Sequence, residues 1–225
     1  MADTEQAPSP EALVLELTQL LTVEHLGNGR YRGTRRHGGA GRIFGGEVIA
    51  QALMAATAEV DPDRAVHSLH AYFLRGGSEE HDIIYLVEHD FDGGSFSNRR
   101  VIALQQDRPI LNLAASFKKA EQGVSHQDEM PDVPPPEALE DEAALRRSVI
   151  DQVPERFRKM MLRPRPIEFR PVETRHWMNS EKRAPLTHSW FRTVAPLGDD
   201  PGLHRAVLAY VSDMTLLERA RCRTD

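Results

Sequence analysis

The clearest hydrophobic pattern in the chain lies between residues 43 and 60. Apolar residues there recur at the three- and four-residue spacing of one face of an α-helix; they are Ile49, Ala52, Leu53, Ala56 and Val60. The opposite face carries Gln51, Ala55 and Ala58, so charge is sparse on every side. A helix of this kind is usually enclosed on most sides. The pattern therefore predicts a buried central helix that ends near Pro62, because proline cannot continue it.

Glycines surround the start of this helix, and strand-like segments follow it. The glycines are Gly38, Gly39, Gly41, Gly45 and Gly46. Downstream, apolar or alternating segments bounded by glycine pairs and an Asp-Arg-Pro turn predict four strands, at residues 65–75, 83–87, 96–106 and 110–117. Because the turns are short, we expect neighbouring strands to run antiparallel. A helix followed by such a sheet favours an α+β fold in which the sheet wraps the helix.

The C-terminal part of the chain predicts a second unit of the same kind. Short strand candidates at 167–172 and 188–194 precede an apolar helical pattern at 203–217. Within it, Val207-Leu208-Ala209 echoes Val48-Ile49-Ala50, which hints at an internal repeat. The residues after Leu217 show no alternation, and at about 3.3 Å per residue they suffice for one short strand. We therefore expect the second unit to be incomplete.

These patterns divide the sequence into four segments. Residues 1–29 are predicted to form a tail and a helix that begins at Pro10, and residues 30–120 the first helix–sheet domain. Residues 121–165 read as a proline-rich linker that contains an amphipathic helix at 137–150. Residues 166–225 are predicted to form the incomplete second domain.

Composition narrows the class of protein. The formal net charge of −6 disfavours nonspecific nucleic-acid binding through a basic surface. A single cysteine, Cys222, excludes a disulfide framework within the chain and a cysteine-rich metal site. No apolar segment approaches the roughly 20 residues of a membrane span, and the acidic N-terminus leads to no signal-peptide core. A cytoplasmic location is therefore expected.

Several short motifs, in order along the chain, resemble the type II acyl-CoA thioesterases. The resemblance runs from about residue 13 to residue 217. The motifs are Phe44-Gly45-Gly46 with Gln51-Ala52-Leu53, the segment 66–75 (VHSLHAYFLR), the segment 94–101 (GSFSNRRV), Ala115-Ser116-Phe117, His126-Gln127, Met130-Pro131, Tyr210-Val211-Ser212-Asp213 and Leu216-Leu217.

The resemblance implies a fold and a chemistry. The implied fold is a double hotdog, which contains two units that each have a long helix wrapped by an antiparallel sheet. The implied reaction is hydrolysis of fatty acyl-CoA to free fatty acid and coenzyme A, without a metal or other cofactor. In the family, an aspartate of a YxSDxxxL segment activates water together with a Thr or Ser and a Gln further along the chain. Asp213 matches that aspartate, and its partners would lie beyond Leu217.

Other residues are candidates for substrate binding. The backbone N–H groups of Gly45 and Gly46 could face a thioester carbonyl, or these glycines could only allow the helix to start close to a neighbouring element. Arg99 and Arg100 could offset the phosphates of coenzyme A, as could Lys118 and Lys119. Ordinary surface charge is the alternative for these four.

Two hypotheses therefore stay open. The first is an acyl-CoA thioesterase in which Asp213 acts as the general base. The second is a catalytically impaired, truncated homologue that serves as an acyl-CoA-binding or oligomerisation module. Since hotdog sheets commonly pair edge to edge, the resemblance also implies a homo-oligomer.

Overall fold

The computed structural model describes residues 7–35, 41–173 and 186–214. The helices are α1 (Pro10–Leu21), α2 (Gly45–Ala58), α3 (Glu142–Ser148), α4 (Glu155–Leu162) and α5 (Pro201–Ser212). The strands are β1 (Val23–Gly27), β2 (Arg30–Gly33), β3 (Arg64–Phe73), β4 (Ile83–Asp92), β5 (Phe96–Gln105), β6 (Arg108–Lys119), β7 (Ile167–Pro171) and β8 (Ser189–Thr193). Among the described residues, no helix is both long and apolar enough to cross a lipid bilayer.

The chain divides into two compact units. The helix–sheet unit comprises the described residues of Thr18–Val124 and Asp199–Leu217. The linker unit comprises those of Met1–Leu17 and Ser125–Gly198. Helix α5 therefore groups with α2, although a long stretch of sequence separates them.

In the helix–sheet unit, α2 lies against a six-stranded antiparallel sheet. The strand order is β1-β2-β4-β5-β6-β3, so β1 and β3 are the two edges. The predicted stripe on α2 is buried from Ile49 to Ala56, as are Gln51 and Ala55 on the opposite face. The core around α2 comes from alternate positions of the central strands, such as Tyr85, Val101, Leu113 and Phe117. The predicted central helix and its four following strands are confirmed; the pattern missed β1.

Helix α5 covers another side of α2. Its inward face is apolar and buried, through Leu203, Ala206, Val207, Ala209, Tyr210 and Val211. The helix begins two residues before the predicted start, because the Asp200 side chain accepts a hydrogen bond from the N–H of Gly202 and Pro201 fits the first turn. It ends at Ser212, so the prediction that Asp213 lies within the helix is wrong. Residues 215–217 of the predicted helix lie outside the described residues.

The linker unit contains the antiparallel pair β7–β8 and the short helices α3 and α4. The two strand candidates are confirmed there. The helix predicted at 137–150 is confirmed over Glu142–Ser148 as α3, but its predicted start is wrong, because the chain is extended at Leu139 and the Asp141 side chain caps a later start by accepting from the N–H of Ala144. Helix α4 was not predicted.

A buried side-chain amide on α2 hydrogen-bonds to α1, to the residue after β2 and to β4. The side-chain NH₂ of Gln51, which is fully buried, donates to the carbonyls of Leu20 and Thr34, both at 2.6 Å. Its oxygen accepts from the Tyr85 hydroxyl at 2.8 Å. Burial, and then the charge of Glu47, raise the pKa of Tyr85 well above its ordinary value, so the hydroxyl stays protonated and donates. Gln51 thereby satisfies two buried groups, the Leu20 carbonyl and the Tyr85 hydroxyl, and the partly buried carbonyl of Thr34.

We predict that Gln51→Leu lowers the free energy of unfolding by at least about 2 kcal/mol, because it leaves the Leu20 carbonyl and the Tyr85 hydroxyl buried without their Gln51 partner. Urea unfolding measures the change. Gln19→Leu, on an exposed position of α1, is the control and should change stability by less than about 0.5 kcal/mol. Equal effects of the two substitutions would contradict the network.

Candidate active site

The predicted catalytic residue, Asp213, meets the N-terminus of α2. Its Oδ2 accepts a hydrogen bond from the backbone N–H of Gly46 at 3.0 Å, across 167 positions of sequence. The first N–H groups of a helix have no acceptor within the helix, and the cap residue Phe44 offers no side-chain hydrogen bond. Asp213, the residue that directly follows α5, therefore supplies the acceptor that a local N-cap would normally provide.

The two glycines allow this close approach. A Cβ at Gly45 would lie 2.6 Å from Oδ2 of Asp213 and 2.7 Å from the ring of Phe73. A Cβ at Gly46 would collide with the backbone carbonyl of Tyr210 and the ring of Phe44. Both glycines are thus required by packing, and Gly46 also donates a hydrogen bond. The structure brings Gly45, Gly46 and Asp213 together, as three of the five predicted site residues.

Three aromatic residues border the site, and none was a predicted site residue. The rings of Phe44 and Tyr210 meet edge to face with centroids 5.0 Å apart, which packs the start of α2 against the end of α5. The ring of Phe73, at the end of edge strand β3, lies beside Gly45 and remains 51% exposed. The site is therefore apolar on two sides and partly open at Phe73. Phe44 and Tyr210 belong to the motifs quoted above, so the resemblance could have indicated them as site residues.

Two opposing effects act on the Asp213 carboxylate. Burial raises its pKa above the ordinary value of an aspartate, and the hydrogen bond from Gly46 lowers it, with burial the larger effect. The N-terminal end of α2 also favours a negative charge. Among the described residues, the bond to Gly46 is the one hydrogen bond that this carboxylate makes. The carboxylate is thus held in place through one of its two oxygens, and no described residue donates a hydrogen bond to the other.

Arg99, a predicted coenzyme A contact, lies inside the helix–sheet unit with a side chain only 3% exposed. Its guanidinium donates to the carbonyl of Glu59 at the C-terminal end of α2, and to the carboxylate of Asp92 at 2.8 Å. Further donors reach the carbonyls of Phe91 and Asn98. The side chain therefore clamps α2 to strands β4 and β5. A role in binding phosphate stays a prediction that this geometry does not support.

The other predicted cations are paired with carboxylates, Arg100 at an exposed position and the two lysines at half-buried ones. Arg100 pairs with Glu88 and Asp90 across the β4–β5 ladder. Lys118 pairs with Glu121, and Lys119 with Asp63. These pairs are typical of ordinary surface charge, which was the alternative interpretation. Their role toward coenzyme A also stays untested.

The partners that the resemblance implies for Asp213 would lie beyond Leu217, outside the described residues. Within residues 7–35, 41–173 and 186–214, no group of three or more His, Cys, Asp or Glu side chains could hold a metal ion. The described chemistry of the site is therefore one half-buried carboxylate, one helix N-terminus and an apolar border.

Comparison with known proteins assigns this arrangement to a class. Residues 34–118 match the family model "Acyl-CoA thioesterase N-terminal domain", and residues 158–223 match "Acyl-CoA thioesterase". A solved protein with a hot dog fold from Alicyclobacillus acidocaldarius superposes with a TM-score of 0.64 at 18% identity, over 92% of this chain and 71% of its own. The helix-and-sheet architecture is thus that of the hotdog fold.

More similar proteins define the family. Acyl-CoA thioesterase 2 of Haemophilus influenzae is 36% identical over 197 residues, which is 88% of this chain and 69% of the relative. The crystal structure of acyl-CoA thioesterase II TesB2 from Mycobacterium marinum is also 36% identical, with a TM-score of 0.68, over 92% of this chain and 69% of its own. The chain belongs to the type II acyl-CoA thioesterase family. It spans about two thirds of the length of these relatives.

We predict that Gly46→Ala lowers the free energy of unfolding by about 1–3 kcal/mol, because the new methyl group forces α2 away from the carbonyl of Tyr210. The matched control is Gly94→Ala, where an added Cβ meets no atom within 4 Å. Thermal or urea unfolding of both variants measures the difference. An unchanged stability of Gly46→Ala would show that the two helices do not approach this closely.

Because the Arg99 guanidinium binds the Asp92 carboxylate, we predict that Asp92 contributes to the stability of the folded state in a pH-dependent way. Hydrogen bonds from Arg99 and Ser97 lower the pKa of Asp92 to about 2. Since the pKa is lower in the folded state, the stabilisation is present at pH values above about 4, the ordinary aspartate value, and is lost as the pH falls toward 2.

Asp92→Asn should therefore reduce the melting temperature at pH 7 and have progressively less effect as the pH approaches 2. The melting temperature of both proteins across this range measures it. Asp90→Asn is the control, because the Asp90 carboxylate pairs with exposed Arg100 rather than with the clamp. A difference between wild type and Asp92→Asn that stays constant with pH would contradict the assignment.

Proposed function

We propose that the chain takes part in the hydrolysis of acyl-CoA thioesters, with Asp213 as the residue that activates water. Family membership supports the reaction class. The observation that carries the assignment to this residue is the position of its carboxylate, half-buried and fixed on the N-terminus of α2 through the N–H of Gly46. A pKa raised by burial makes a carboxylate a better proton acceptor than one on the surface.

In this proposal, the free oxygen of Asp213 accepts a proton from a water while the water oxygen attacks the thioester carbonyl carbon. The carbonyl oxygen then carries negative charge, which a helix N-terminus can stabilise. Gly45 is the first residue of α2, so its N–H has no acceptor within the helix. When the intermediate collapses, the C–S bond breaks and the proton on Asp213 passes to the leaving thiolate. The products are a fatty acid and the coenzyme A thiol.

The partly exposed Phe73 suggests where the acyl group would lie. Its ring covers Gly45 on the open side of the site, and the ring of Phe44 lies beside the neighbouring Gly46. An acyl chain placed along these rings would bring its thioester to the start of α2. The cytoplasmic location stays a prediction.

The second hypothesis, a binding or oligomerisation module, also has support. Among the described residues, Asp213 has no side-chain hydroxyl or amide as a hydrogen-bond partner. Strand β3 is an edge strand, and its end carries the exposed Tyr72 and Phe73. An exposed edge of this kind can pair with another chain, as the predicted homo-oligomer requires.

Release of free thiol from a long-chain acyl-CoA separates the two hypotheses. We predict that wild-type protein releases thiol and that Asp213→Asn lowers kcat by at least about 100-fold, because the base is lost while an acceptor for Gly46 is retained. Asp200→Asn is the matched control: it removes a carboxylate at the other end of α5 but keeps a good N-cap.

Unchanged turnover in Asp213→Asn would contradict the catalytic assignment. Saturable binding of acyl-CoA without thiol release by wild-type protein would favour the module. Sedimentation velocity of the same samples measures the oligomeric state.

A further inference from the structure

Helix α4, in the linker unit, exposes apolar side chains to solvent. None of its residues is buried. Phe157 is 42% exposed, Met160 66% and Leu162 45%. Phe157 and Met160 are three positions apart and therefore share one face of the helix, with Met161 beside them. A contiguous apolar face on the surface marks an interaction site more often than scattered exposed residues do.

The same segment concentrates positive charge. Residues 155–165 read ERFRKMMLRPR, with five basic residues and one acidic residue, so the segment carries a formal charge of +4 (5 − 1). The whole chain carries −6. This local charge is therefore opposite in sign to that of the protein as a whole.

Some of these cations lie beside the apolar face. The guanidinium of Arg156 lies over the ring of Phe157, 4.8 Å from its centroid. Lys159 is exposed, one turn before Arg163. Arg158, in contrast, is half-buried and donates to the carbonyls of Val153 and Asp151, which anchors the helix to the preceding turn. The exposed groups of α4 are thus apolar side chains bordered by positive charge.

We propose that α4 and the following Arg163 dock on an anionic lipid surface. Short helices with Phe and Met on one side and Lys or Arg beside them insert the apolar groups at the headgroup boundary, while the cations meet anionic headgroups. The positive charge of the segment complements such a surface. The binding is reversible, because the apolar face is small and no helix spans the bilayer among the described residues.

Co-sedimentation of the purified chain with vesicles tests this proposal. The vesicles contain phosphatidylcholine alone, or phosphatidylcholine with an equal part of phosphatidylglycerol. We expect binding to the mixed vesicles at an ionic strength of about 0.1 M, little binding to neutral vesicles, and release at about 1 M, where the screening length falls to roughly 3 Å.

Two variants at exposed positions of α4 locate the surface. Arg156→Glu/Lys159→Glu should weaken binding to the mixed vesicles by about tenfold or more. Met160→Ser should weaken it at unchanged charge, by several-fold. The matched control is Arg30→Glu/Arg108→Glu, which changes net charge equally at exposed positions of the helix–sheet unit and should retain α4-dependent binding. Far-ultraviolet circular dichroism confirms that each variant is folded.

Three results would overturn the proposal. The first is equal binding of wild-type protein to neutral and mixed vesicles, or no binding to either. The second is an equal loss of vesicle binding in Arg156→Glu/Lys159→Glu and in the control, which would show that binding depends only on net charge. The third is a change in self-association of the α4 variants, by sedimentation velocity, without a change in vesicle binding, which would assign the face to a protein interface.

Discussion

The contact between the carboxylate of Asp213 and the first turn of α2 is the interaction on which the account of this protein depends. It requires that two helices approach until the backbone of one touches the other, which is possible because Gly45 and Gly46 lack side chains. The N-terminus of α2 gains the acceptor that its own cap residue does not provide. Fold and candidate chemistry therefore share one set of atoms.

This contact holds a carboxylate between two opposing effects. Burial among Phe44, Phe73 and Tyr210 disfavours the charged form, whereas the Gly46 N–H and the helix N-terminus favour it. Because burial is the larger effect, the pKa of Asp213 is raised, and this carboxylate accepts a proton more readily than an exposed one. That is a property that a general base in thioester hydrolysis needs. At its other end, α2 is fixed by Arg99, whose guanidinium binds the carbonyl of Glu59.

Much of the helix–sheet unit could be predicted because periodicity reports burial directly, as the stripe on α2 shows. Arg99 could also have been placed: it alternates in phase with Val101 and Ala103 along β5, so it had to face inward with them. The helix expected at 137–150 is shorter than predicted, because the Asp141 side chain caps a later start. The Gly46–Asp213 bond could not be derived from local pattern, since it joins residues 167 positions apart and depends on how two helices pack.

Titration of the Gly46 backbone amide by nuclear magnetic resonance tests the central contact most directly. If its N–H donates to Asp213, its proton shift should follow a single titration with a pKa above that of an ordinary aspartate, and the titration should vanish in Asp213→Asn. A Gly46 amide shift that is independent of pH, or that titrates identically in wild type and Asp213→Asn, would show that this carboxylate does not cap α2.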